Sequence, residues 1–153
     1  MRAVIQRVRA GSVEVAGEVV GAVERGLVCF VGAERGDGPD DVAWMVKKIL
    51  SLRIFPDDAG KMQHDVATVG GAILVVSQFT LFADLSRGNR PSFTEAAAPD
   101  LARALCDDVA RALGERVRVA TGRFGADMRV QVDNDGPVTI QLDSRTRSKK
   151  PSD

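Results

Sequence analysis

The sequence predicts an α+β fold: largely antiparallel β-sheets with two main helices packed on one side. Three observations predict it. Stretches alternating apolar and polar residues recur along the chain, the period of half-buried strands. Two segments carry an apolar stripe at helical spacing. Most neighbouring strand candidates are joined by short turns, so hairpins outnumber crossovers.

The elements follow in order. Residues 2–9 alternate, with Ala3 and Ile5 on the more apolar face. "SVEVAGEVVGAVE" (12–24) reads as a hairpin turning near Gly17. "GLVCFVG" (26–32) is a continuous apolar run, the mark of a central strand. A helix follows, with Pro39 in its first turn and Asp37, Asp40 and Asp41 favouring its N-terminus. Its stripe is Val42, Met45, Val46, Ile49 and Leu50. "PDDAGK" (56–61) is a turn. "GGAILVVSQFTLFA" (70–83) is a buried strand running into polar residues, and 85–93 a loop. A second helix starts near Pro99, carries Leu101, Leu105, Val109 and Leu113, and stops at Gly114. "RVRVATG" (116–122) precedes two final strands with apolar Met128, Val130, Val132 and then Val138, Ile140, Leu142. Between these lie Asn134, Asp135, Gly136 and Pro137, which read as a hairpin turn. Pro137 is unusual there, because it opens a strand yet has no N–H for a ladder.

A chain of 153 residues is expected to form one domain, 1–153, large enough to bury ~70% of its unfolded surface. No apolar run approaches the ~18 residues of a membrane span. Arg7 and Arg9 interrupt any signal-peptide core at the N-terminus. Cys29 and Cys106 sit in apolar segments and read as buried thiols, so the expected location is cytoplasmic. Net charge is zero, which argues against a generally basic nucleic-acid binder. Residues 144–153 are nevertheless expected to form a flexible basic tail, with Arg145, Arg147, Lys149 and Lys150.

Familiar catalytic groupings are missing. The single histidine, His64, follows a turn and reads as a surface residue. Ser77 and Ser12 lie in no G-x-S-x-G elbow. No zinc spacing, Walker A motif or G-x-G-x-x-G is present. "DNDG" (133–136) lacks the remaining ligands of a calcium loop and reads as turn chemistry. No metal and no cofactor is expected. Two stretches stand out. "VVSQFTL" (75–81) puts Ser77, Gln78 and Thr80 at the end of an apolar strand, where they either line a site or begin a loop. Gly136-Pro137 is the other; from the residues alone its peptide bond is expected trans.

Five segments carry a resemblance: "MRAVIQRV" (1–8), "GGAILVVSQFTLFAD" (70–84), "RGNRPSF" (87–93), "TGRFGADM" (121–128) and "NDGPVTIQLD" (134–143). With S-Q-F-T followed by N-x-G-P-x-T, the chain resembles the D-aminoacyl-tRNA deacylase family along nearly its whole length. The resemblance implies hydrolysis of the ester joining a D-amino acid, and also glycine, to the terminal adenosine of tRNA. It implies a homodimer in which the Gly136-Pro137 bond is cis and enters the other subunit's site. Two rigid carbonyl oxygens there would reject an L side chain. It places the scissile carbonyl beside Ser77, Gln78, Phe79 and Thr80, with backbone N–H groups near Phe79 and Thr80 stabilising the oxyanion. Thr80 positions rather than attacks, since no base is visible, and the tRNA 2′-hydroxyl assists the water. Arg7, Asn134 and Thr139 support the Gly-Pro motif, and Phe124, Gly125 and Met128 contact the tRNA 3′ end. Phe82 stands where the family pattern has Tyr, so this chain has no hydroxyl at that position. "GDGPDD" (36–41) and "QHDVATVGG" (63–71) also depart from the pattern, in turns and helix starts.

Two alternatives remain. A sister group with the same fold edits L-aminoacyl-tRNA through a trans Gly-Pro, but typically carries a P-Q-A-T segment where this chain has Ser77-Gln78-Phe79-Thr80. A non-catalytic nucleic-acid-binding module would use the tail with Arg87 and Arg90.

Overall fold

A computed structural model describes residues 1–147 of the chain. The alternating N-terminus and the first arm of the expected hairpin merge into one strand, β1 (Arg2–Val15). It turns at Ala16 and Gly17, both at positive φ, into β2 (Glu18–Val23). β3 (Gly26–Gly32) returns antiparallel along the first half of β1, while β2 pairs with its second half.

Helix α1 (Pro39–Ser51) begins with Gly38 as N-cap, whose N–H donates to the Asp41 carboxylate. A two-stranded ladder follows, β4 (Phe55–Pro56) with β5 (Met62–His64), closed by the expected turn. β6 (Ala72–Ser77) lies parallel to β3. A 3₁₀ turn, Phe79–Phe82, ends the apolar stretch that the sequence reads as strand up to Ala83. Helix α2 (Pro99–Gly114) leads to β7 (Val119–Thr121), parallel to β6, and then to β8 (Arg129–Asp143). The main sheet is therefore mixed, ordered β2-β1-β3-β6-β7 with β8 also on β1. Its parallel pairs arise because α1 and α2 each carry the chain back across one face before the next strand starts.

Alternation explains the continuous apolar runs. In β3, Leu27, Cys29 and Val31 face a core shared with both helices, while Val28 faces a second core. In β6, Ile73 and Val75 face the first and Ala72, Leu74 and Val76 the second. Strands buried on both faces have no polar positions to show. The second core is enclosed because the sheet curls: β2 approaches β7 so closely that a Cβ on Gly21 would lie 2.3 Å from the Thr121 carbonyl oxygen.

Three expectations need correction. The final strands are one strand, not a hairpin: both halves of β8 pair antiparallel with β1. The α2 stripe runs through Ala102, Leu105, Cys106, Val109 and Leu113, leaving Leu101 exposed. The helix does end at Gly114 as the sequence predicts, without a left-handed residue, Glu115 following at φ −70°. Residues 144–147, expected to open a flexible tail, are held in place. Ser144–Thr146 form a 3₁₀ turn, and the buried Ser144 hydroxyl donates to Asp41 at 2.7 Å. Arg145 pairs with Asp143 and Glu34, and Arg147 with Asp41. Lys149 and Lys150 lie outside the described residues.

The close approach at Gly21 predicts that Gly21→Ala destabilises by about 1–3 kcal/mol, because the new methyl meets backbone that holds the curl. Gly114→Ala, with nearest neighbour at 4.0 Å, should instead stabilise by roughly 0.5 kcal/mol through lower unfolded-state entropy. Paired urea titrations check both signs. Asp143 predicts an acid effect. Hydrogen bonds from the Arg145 side chain and backbone, with Arg2 nearby, hold its carboxyl down to about 2. Its stabilising contribution is then complete above the ordinary carboxyl range near ~4 and lost as pH falls from there to about 2. The difference in melting temperature between wild type and Asp143→Asn should be present at neutral pH and close across that window.

Candidate active site

β3 and β6 are parallel and end side by side, so their carboxyl ends form a ledge. Ser77 ends β6, and the Gln78 N–H donates to the Val31 carbonyl at 2.8 Å. The chain then tightens into the 3₁₀ turn. It can fold back this closely because β3 ends in Gly32, where a Cβ would meet the Gln78 carbonyl oxygen at 2.7 Å. In such a turn the first N–H groups have no partner within it. The Leu81 N–H is the one that bonds back, to Gln78, so those of Phe79 and Thr80 lie outside its ladder. The Thr80 hydroxyl accepts from the Gln78 side-chain amide, a donor and not a base.

A cleft of about 640 Å³ opens on this ledge. Ser77, Gln78 and Phe79 line one wall; Phe124, Gly125 and Met128, from the segment between β7 and β8, line another. Gly122 leaves room for that wall, since a Cβ there would stand 2.7 Å from the Met128 sulfur. The structure thus brings together two groups almost fifty residues apart in sequence. A third wall, Phe93 and Ala96–Pro99, was not anticipated as part of a site. Phe93 packs edge-on against Phe79 with ring centres 5.1 Å apart, and backbone bridges Asp84–Ser92 and Glu34–Ala96 bring this stretch in. Its only sequence signal is "RGNRPSF". A slightly larger cleft, about 690 Å³, lies between α1 and the β1–β8 edge, but it contains none of the expected site residues. The choice between them rests on convergent chemistry, not on size.

Gly136 and Pro137 line neither cleft and are exposed. Between Gln6 and Val8, β1 advances two residues while β8 advances five, from Thr139 to Asn134. Three extra residues therefore swell out of β8 opposite Arg7, and this bulge carries Gly136-Pro137, joined by a cis bond where the residues alone suggest trans. Asn134 closes its neck. Its amide donates to the Val138 and Arg7 carbonyls, each at 3.0 Å, and its oxygen accepts from Gln6 at 3.1 Å and Thr139 at 3.2 Å. Gln6 is the unforeseen member of this clamp. Arg7 donates to the Ile54 carbonyl at 2.6 Å and lies 3.3 Å from the Asp135 carboxylate. Its buried Nε has no well-directed hydrogen-bond acceptor, so the Asp135 contact is an ion pair without good geometry. Gly136 sits at φ +119°, and a Cβ there would be 3.0 Å from Arg7 Nη2, so Arg7 braces the bulge by contact.

Other candidates lie elsewhere. His64 pairs with Phe55 in the small ladder. Phe82 is buried beneath the Arg2 guanidinium, 4.8 Å from its centre, and does not line the cleft. Among the described residues, no group of three or more His, Cys, Asp or Glu side chains is placed to hold a metal ion, and no helix is long and apolar enough to cross a membrane.

Comparison with known proteins agrees with the motifs. The chain is 53% identical over 152 residues to a D-aminoacyl-tRNA deacylase of Chloroherpeton thalassium, covering 98% of this chain and 100% of that one. It is 57% identical over 147 residues to one from Sorangium cellulosum, covering 95% and 98%. Among solved structures, a c-Myc DNA unwinding element binding protein superposes with TM-score 0.88 at 39% identity, over 94% of this chain and 98% of that one. A probable eukaryotic D-amino acid tRNA deacylase shares the fold at TM-score 0.77 and 20% identity, over 92% and 97%. The family model described as D-Tyr-tRNA(Tyr) deacylase matches residues 4–143, and the chain belongs to that family.

Proposed function

We propose that this protein hydrolyses the ester bond of D-aminoacyl-tRNA, releasing the D-amino acid and tRNA, in the cytoplasm where translation occurs. The observation that carries this reading is the single cleft shared by Ser77–Phe79 and by Phe124, Gly125 and Met128. Its apolar, aromatic walls suit a terminal adenosine, and the Phe124–Met128 wall is where that base would rest. The ester then reaches the ledge. As water attacks, the carbonyl oxygen takes up negative charge, and the Phe79 and Thr80 N–H groups stabilise it. Each such donor is worth about 3 kcal/mol. An aminoacyl ester is already activated, so this and a 2′-hydroxyl that orders the water suffice without a side-chain nucleophile. Thr80, tied to the Gln78 amide, has no base to activate it and positions the turn.

Chiral selection belongs to the Gly136-Pro137 bulge. It stands away from its own chain's cleft, which supports its acting in the cleft of a second copy. An isologous two-fold dimer gives each cleft one such bulge. Held by Asn134, Thr139 and Arg7, the carbonyl oxygens of Gly136 and Pro137 would occupy the space an L side chain needs. A D side chain points elsewhere and glycine has none, so both esters are cleaved. Rejection by clash needs rigidity, which the clamp supplies.

The name of the c-Myc DNA unwinding element binding protein favours a second reading, a nucleic-acid-binding module without catalysis. One assay separates the two. Purified protein incubated with D-Tyr-, L-Tyr- and Gly-tRNA should release tyrosine from the first, leave the second intact and cleave the third. Binding of all three with no release would favour the module, and release from L-Tyr-tRNA the sister editing group. Thr80→Ala should keep substantial activity; a fall to the spontaneous rate in a folded protein would make Thr80 the nucleophile. Light scattering at micromolar concentration should give twice the chain mass, and a fully active monomer would remove the cross-subunit role of the bulge.

A further inference from the structure

The cleft's third aromatic, Phe124, has a partner that the hydrolysis above does not use. Arg103, exposed on α2, lays its guanidinium over the Phe124 ring, 4.9 Å from the ring centre. Its neighbour Ala102 lines the cleft, so this cation sits at the cleft's edge. Among the described residues the Arg103 guanidinium has no ion-pair partner and no hydrogen-bond acceptor, so its donors are unspent. The other arginine on α2, Arg111, is paired with Asp108. An arginine stacked on an aromatic face is held in orientation, so it loses less freedom when it meets a phosphate than a loose lysine would. We propose that Arg103 is a phosphate-binding residue, contacting the phosphodiester immediately 5′ of the terminal nucleotide whose base rests beside Phe124.

The argument rests on the reading of this cleft as the seat of a tRNA 3′ end. A base against the Phe124 wall leaves its 5′-phosphate about one nucleotide's reach away, and Arg103, stacked on that ring, is a cation within reach. Sequence readout is not implied, because a phosphate contact positions the strand without identifying its bases. The segment's resting place on the ledge then depends on two anchors, an apolar one for the base and a charged one for the backbone.

The test compares wild type, Arg103→Gln, Arg103→Lys and, as a charge-matched control, Arg111→Gln. The probes are D-Tyr-tRNA for turnover and, for binding, an RNA hairpin ending in single-stranded CCA, each over a range of salt. For Arg103→Gln, KM and hairpin Kd should rise roughly fivefold at low salt and converge with wild type at high salt. The log–log salt slope should become shallower by ~0.7, the value for one phosphate on a single strand. kcat and melting temperature should stay unchanged. Arg103→Lys should recover the slope but only part of the affinity, and Arg111→Gln should match wild type. A salt slope equal to wild type in Arg103→Gln would overturn the proposal, as would a fall in kcat with KM intact, which would mean that Arg103 merely props Phe124. If wild type releases no tyrosine, the functional reading fails on its own, while the hairpin slopes still decide whether Arg103 meets a phosphate.

Discussion

The structure depends on the pairing of β1 with β8. These two strands run antiparallel along almost their whole lengths, yet their pairing slips twice: opposite Arg7 β8 carries three extra residues, and between Val8 and Ala10 β1 carries one. Each slip is odd, so the strand that carries it turns over across it, because successive side chains point to opposite faces. That is what the cores record. Val130 and Val132 pack against the enclosed second core, whereas Val138, Ile140 and Leu142 pack on the helix side. The surplus has to leave the ladder, and it leaves as the bulge with Gly136 and Pro137. Asn134 then satisfies the carbonyls that the interruption would orphan, on both strands at once.

The same economy places the cleft. Two strands buried on both faces end together, and their carboxyl ends meet the 3₁₀ turn at the cleft. Gly32 lets the 3₁₀ turn press against β3, and the wall from Phe124 to Met128 arrives because β7 extends the parallel set on the other side of β6. Ledge, Phe124–Met128 wall and bulge are three results of one sheet topology, while Phe93 comes in on the stretch that the two isolated bridges tie down.

Much of this was legible in the residues. The apolar runs of β3 and β6, the stripe of α1 and the alternation of β8 each have a period that names the element. What stayed hidden was relational. Asp-Gly with flanking alternation is the local pattern of a hairpin, and only pairing with a strand more than a hundred residues away makes it a bulge. Arg145 and Arg147 look solvated until Asp143, Glu34 and Asp41 are brought beside them by the fold. At the site, Ser77–Thr80 stood out as polar residues ending an apolar strand, whereas Gln6 and Phe93 are ordinary in composition and acquire meaning from their neighbours.

The two cysteines complete the picture from the interior. Cys29 is fully buried, and burial drives its thiol far above the usual range; burial and nearby Asp107 push Cys106 up to about 12, with its Sγ–H directed at the Val31 carbonyl. Thiolate is the form that peroxides and alkylating reagents attack, and at neutral pH neither side chain supplies it. The two thiols are therefore chemically quiet towards oxidants. The fold is also a ready background for single-cysteine labelling: a thiol introduced on the surface would be the one that a maleimide finds, with both native sulfurs left in place.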